Sequence, residues 1–125
     1  MRRFFISSLF VFGAFGVMGM VAPSEAQANC EVNVTLKNKE SSTVSVDWSQ
    51  SKVKIKLGTY KKLGSSTQTI RANGSLSNSF KLLFNCGKKR RYKFRVTKGT
   101  STKTIYYPST TGWTTKQSFT VNVDF

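Results

Sequence analysis

Apolar and polar residues alternate through most of the chain after residue 29. The apolar positions fall on every second residue of successive short runs, at 30–36, 44–48, 53–57, 80–86, 92–96 and 119–125. A period of two is typical of β-strands that bury one face and expose the other. No window shows the longer period of an amphipathic helix, so the chain is predicted to be all-β.

Turn-forming residues separate these runs and set the number of strands. Gly, Asn, Ser or Pro residues lie at 38–39, 49–50, 73–74, 87, 98–99, 108 and 112, and weaker strands are predicted at 67–71 and 103–107. Short strands at this regular spacing predict a small antiparallel β-sandwich with immunoglobulin-like architecture and about seven or eight strands. Trp48, in phase with Val44 and Val46, is expected to be buried in its core.

The order Cys30, Trp48, Cys86 invites comparison with immunoglobulin domains. Those domains have a strand before the first cysteine and a single strand after the second. Here Cys30 lies on the first predicted strand, and about three strands follow Cys86. The sequence therefore predicts the sandwich architecture but not that homology.

The first 28 residues have the organisation of a secretory signal peptide. Arg2 and Arg3 precede an apolar stretch at 4–22, and the small-residue triplet Ala26-Gln27-Ala28 follows. We expect cleavage after Ala28, which leaves a single domain at 29–125 that is secreted or periplasmic and is not an integral membrane protein. A membrane anchor is the alternative, because the apolar stretch is just long enough to span a bilayer.

The two cysteines, Cys30 and Cys86, both lie in the predicted mature chain. In an oxidising compartment, a small domain with two cysteines is expected to join them. The sequence therefore predicts a Cys30–Cys86 disulfide.

Basic residues dominate the charge of the mature chain. Removal of Arg2, Arg3 and Glu25 with the leader leaves 18 of 20 cations and four of five acids, a net charge of +14. The cations predicted to bind anions form rows on two runs: Lys52, Lys54 and Lys56 on one, and Lys88, Lys89, Arg90, Arg91, Lys93 and Arg95 on the other. Such rows suit a polyanion. They also serve solubility and keep strand edges from pairing, which is the alternative reading.

Aromatic residues beside these cations are the second candidate contacts. Tyr60 precedes two lysines, and Tyr106, Tyr107 and Trp113 flank a loop rich in Ser, Thr and Gly. Aromatic rings next to cations can stack on sugars or bases. We therefore predict that these four side chains are possible ligand contacts.

The composition argues against catalysis. The chain has no His, which removes imidazole bases and His-ligated metals, and its two cysteines cannot form a four-thiolate site. No cofactor, metal or enzyme activity is expected. The predicted function is a non-catalytic domain that binds an anionic polymer or cell surface, such as lipopolysaccharide, acidic polysaccharide or nucleic acid. The alternatives are a structural or accessory domain that pairs strands through 119–125 with itself or a protein partner, and a small basic toxin.

Overall fold

The computed structural model describes residues 30–125, so the predicted leader at 1–28 lies outside the described residues. These residues form eight strands: β1 (Cys30–Asn38), β2 (Val44–Ile55), β3 (Lys61–Lys62), β4 (Thr67–Ile70), β5 (Ser75–Leu82), β6 (Arg90–Lys98), β7 (Ser101–Tyr107) and β8 (Ser118–Val123). Between residues 30 and 125, no helix is long and apolar enough to cross a membrane.

The strands form two sheets, which confirms the all-β sandwich. The order in the three-stranded sheet is β5-β1-β8, and in the five-stranded sheet it is β3-β2-β6-β7, with β4 also pairing with β2. One pair departs from the predicted antiparallel arrangement, because β8 runs parallel to β1. The long connection from β7 carries the chain back across the sandwich, so β8 enters the opposite sheet in the direction of β1.

The inner faces of the two sheets form one core. Its largest members are aromatic, and Trp48 is 2 % exposed, as predicted. The Trp48 ring lies 4.9 Å from that of Phe80 in the opposite sheet. The Tyr92 ring lies 4.9 Å from that of Phe119, which also comes from the opposite sheet. Such pairs add to the stabilisation from apolar burial and fix how the sheets are stacked.

A β-bulge in β2 replaces the turn predicted at Ser49-Gln50. The prediction was wrong because the buried positions change phase there: Val46 and Trp48 are buried before this point, and Ser51 and Val53 after it. A hairpin explains a change of phase, but so does one extra residue within a continuous strand. The register with β6 shifts between Asp47 and Lys52, as expected for a bulge.

The hydroxyl of Ser51 holds the bulge in place. It donates to the Asp47 carbonyl at 2.7 Å and accepts from the backbone N–H of Arg95 at 3.0 Å. The hydroxyl thus takes the place of the ladder hydrogen bond that the bulge interrupts. The strand continues only to Ile55, so Leu57, predicted to share its inner face, is instead exposed.

The predicted disulfide is present in the structure. Cys30 and Cys86 are bonded, with their Cα atoms 5.0 Å apart. The bond joins the first residue of β1 to the loop between β5 and β6. Closing a loop with a sequence separation of 56 stabilises the fold by about 4 kcal/mol in the chain-entropy model.

Candidate anion-binding site

The central cations of the two predicted rows lie side by side on the outer face of the five-stranded sheet. Along β6 the apolar residues are buried, while Arg91, Lys93 and Arg95 point to the other side. In the ladder between β2 and β6, Lys52 is directly opposite Lys93 and Lys54 is directly opposite Arg91. Like charges placed opposite one another weaken a sheet.

A third strand extends the same surface. Lys62 of β3 is the partner of Lys52 on the other side of β2, so three lysines follow one another across the sheet. Lys62 was not among the cations predicted from the sequence to bind anions. β3 has only two residues, which is too short to show an alternation of apolar and polar positions. We call the outward-facing set the basic face: Lys52, Lys54, Lys62, Arg91, Lys93 and Arg95.

Two aromatic rings lie among these cations. The Arg91 guanidinium carbon is 4.1 Å from the centre of the Trp113 ring, and the Lys93 ammonium is 4.2 Å from the centre of the Tyr60 ring. Lys54 reaches towards both rings, at 5.4 Å from Tyr60 and 5.7 Å from Trp113. Each contact at an exposed site is worth about 0.5–1 kcal/mol and offsets part of the repulsion between the cations.

The position of Trp113 follows from its neighbours in the chain. The next residue, Thr114, exchanges two backbone hydrogen bonds with Arg90, at 2.8 and 2.9 Å. The Arg91 Nε donates to the Gly112 carbonyl at 3.0 Å. Two bonds to the backbone and one from a side chain therefore hold Trp113 beside Arg91.

The two neighbouring tyrosines of β7 point in opposite directions. Tyr106 is opposite Lys93 and so shares the outer side of the sheet with the basic face. Tyr107 is opposite the buried Tyr92, and its ring stacks on Phe119 at 4.0 Å. Tyr106 remains a candidate contact, whereas the ligand contact predicted for Tyr107 is corrected to a packing role.

Arg90 is also placed differently from the prediction, because it is 0 % exposed. Its Nε donates to the Tyr92 hydroxyl at 2.9 Å, and its Nη1 donates to the carbonyls of Cys86 and Lys88 at 3.0 and 2.9 Å. Its Nη2 donates to the Lys116 carbonyl at 2.9 Å. Arg90 therefore joins two loops and is not available to an external anion. Burial raises the pKa of the neighbouring Tyr92 hydroxyl, so that hydroxyl stays neutral.

Three predicted anion-binding lysines lie beyond the sheet. Lys88 and Lys89 are exposed on the loop before β6, and Lys56 is exposed just after β2. The Lys56 N–H donates to the Lys89 carbonyl at 3.3 Å, which brings these residues together at one end of the sandwich. They extend the positive potential past the basic face without being part of it.

Few acids are near enough to neutralise the basic face. Asp47 is opposite Arg95 at one margin, and hydrogen bonds from Ser49 hold the pKa of its carboxyl below its usual value. Within residues 30–125, the one ion pair joins Lys98 to Glu40 at 2.6 Å, away from this face. A hydrogen bond from Lys98 lowers the pKa of Glu40. The central cations therefore have no carboxylate partner in the described part of the chain.

Comparisons with protein families, with curated proteins and with solved structures find no match for this chain.

Proposed function

We propose that this protein is a secreted or periplasmic, non-catalytic domain that binds an anionic polymer on the basic face. The apposition of Lys52 with Lys93 and of Lys54 with Arg91 carries the proposal. This arrangement costs stability in the free protein, and an external polyanion would remove the cost by screening each pair. The face is a sheet surface and not a closed cavity, so it suits an extended chain of phosphate, sulfate or uronate groups.

The aromatic residues add a second kind of contact to this surface. Trp113 and Tyr60 flank the cations, and Tyr106 lies on the same side of the sheet. Stacking on sugars or bases would supply affinity that salt does not remove, whereas cation contacts depend strongly on salt. We therefore expect part of the affinity for the anionic polymer to persist at high salt.

Lys52→Glu is the sharpest test of this site. Lys52 lies between Lys93 and Lys62, so a glutamate there gains two cationic partners and the fold should be at least as stable. We expect weaker binding to heparin, and a slope of log K against log salt reduced by about one. The measurement is titration of heparin, single-stranded DNA, lipopolysaccharide and a neutral glycan at several salt concentrations, with a melting curve for each variant.

The matched control is Lys37→Glu, which makes the same change of charge on an exposed position of β1 in the other sheet. It should leave the heparin slope nearly unchanged. If the two variants weaken binding equally, the net charge binds polyanions without a site, and the proposal fails. A preference of tenfold or more for one polyanion would identify the class of ligand.

Assembly through strand pairing is the second candidate, and one observation supports it. β8 is an edge strand of the three-stranded sheet, with β1 as its one neighbour among the described strands. An edge strand leaves backbone groups free to pair with another chain. Its inner side chains, Phe119, Val121 and Val123, are buried in this chain's own core, so assembly would use only the free edge.

A further inference from the structure

Two leucines are exposed at the same end of the sandwich, on the loops at 56–60 and 83–89, which together we call the loop end. Leu57 and Leu83 are 106 % and 85 % exposed relative to a reference leucine. Their neighbours Gly58 and Phe84 line one shallow pocket of about 280 Å³, so the two loops are adjacent. A single exposed leucine is common on protein surfaces, but two on adjacent loops can enter the same apolar partner.

The backbone at Leu57 shows that the fold does not favour a leucine there. Its φ is 67°, in the left-handed region that glycine and asparagine adopt more readily than leucine. Leu57 thus combines backbone strain with full exposure, and no packing compensates for either. Strain at an exposed residue is the kind of feature that points to a functional role.

Lysines surround the two leucines. Apart from Lys62, which belongs to the basic face, the exposed lysines at or near this end are Lys56, Lys61, Lys81, Lys88 and Lys89. Lys61, Lys62 and Lys81 line a second pocket together with Leu83. Of the acids within residues 30–125, only Glu31 is close to this end, on β1 opposite Lys81. Apolar side chains surrounded by long cationic ones suit the interface of a bilayer with anionic headgroups.

The start of the described chain also lies at the loop end. β1 begins at Cys30, which is opposite Leu82 and bonded to Cys86.

We propose that the loop end docks on the surface of an anionic lipid bilayer, with Leu57 and Leu83 between the headgroups and the lysines on the lipid phosphates. This proposal does not depend on the polymer-binding function, because both leucines lie outside the basic face. It assigns a lipid partner to the end of the molecule and leaves the outer face of the five-stranded sheet free.

The test uses residues 29–125, which include both sheets, their core and the disulfide, and a cooperative melt verifies folding. Sedimentation is measured with vesicles of phosphatidylcholine mixed with phosphatidylglycerol, and with phosphatidylcholine alone. The protein should bind the mixed vesicles and not the neutral ones. Leu57→Asn combined with Leu83→Ser should weaken binding to the mixed vesicles about tenfold. The single change Leu57→Asn should leave the melting temperature unchanged or higher, because it relieves the strain.

Phe125→Ser is the matched control. Phe125 is 37 % exposed and follows β8, whose last residue Val123 is opposite Asn38, at the far end of the sandwich. This variant should bind vesicles like the parent protein, and none of these variants should change heparin affinity. The proposal is overturned if the protein does not bind the mixed vesicles or binds the neutral vesicles equally well. It is also overturned if the leucine double variant binds the mixed vesicles with undiminished affinity.

Discussion

At the scale of single residues, Arg90 shows how charge and periodicity can conflict. Arg90 has the same phase as Tyr92 and Phe94, so the period of two places it on the inner face. Its charge suggested the surface instead, because an isolated buried cation is costly. The structure meets that cost with hydrogen bonds to three backbone carbonyls and to the Tyr92 hydroxyl. The three carbonyls come from loops whose positions no local pattern reveals.

Replacement of Arg90 should therefore affect stability and not binding. Arg90→Lys keeps the charge but loses the planar fork that serves several carbonyls at once. We expect the free energy of unfolding to fall by about 3 kcal/mol, as measured by urea denaturation. Arg95→Lys, on an exposed position of the same strand, should change it by less than about 0.5 kcal/mol. Equal losses in the two variants would contradict this account of Arg90.

At the scale of elements, the bulge in β2 decides which residues form the basic face. Without the extra residue, a strand continuing from Trp48 would bury the even-numbered positions, including Lys52 and Lys54. The change of phase turns both lysines outward, opposite Lys93 and Arg91. The geometry of one irregular stretch therefore determines the charge of a whole sheet surface.

Loss of the Ser51 hydroxyl should weaken the bulge. Ser51→Ala removes the acceptor of the part-buried Arg95 N–H, so we expect a loss of about 1–3 kcal/mol in the free energy of unfolding. Faster hydrogen exchange of the Arg95 amide should accompany it. Ser45→Ala is the control, on a half-buried position of the same strand, and should change stability by less than about 0.5 kcal/mol. If Ser51→Ala costs no more than this control, the hydroxyl does not hold the bulge.

At the scale of the whole molecule, the charged side chains of residues 30–125 are unevenly distributed over the surface. The basic face covers the outer side of one sheet, lysines surround the loop end, and the ion pair between Glu40 and Lys98 lies elsewhere. The predicted net charge of +14 for residues 29–125 makes copies of this protein repel one another. The exposed side chains of β8, Ser118, Thr120 and Asn122, are polar and offer no apolar surface to a second copy.

We therefore expect residues 29–125 to remain monomeric over a wide range of concentration. Light scattering at low and high salt measures this directly. Salt screens repulsion between copies, so a monomer that persists at high salt shows that the free edge of β8 does not assemble on its own. Assembly that increases with concentration and is insensitive to salt would contradict this expectation and favour the strand-pairing function.

By itself the sequence determined the all-β class, most of the strand positions, the buried side of the strands with clear alternation, and the disulfide. These follow from local periodicity and from the presence of only two cysteines. Only the tertiary structure decided that β8 runs parallel to β1, that residues 49–50 form a bulge, and that Lys52 is opposite Lys93. Strand pairing joins residues far apart in the chain, and packing of the core sets its register. The candidate site depends on that pairing, so its residue types could be predicted but not their arrangement.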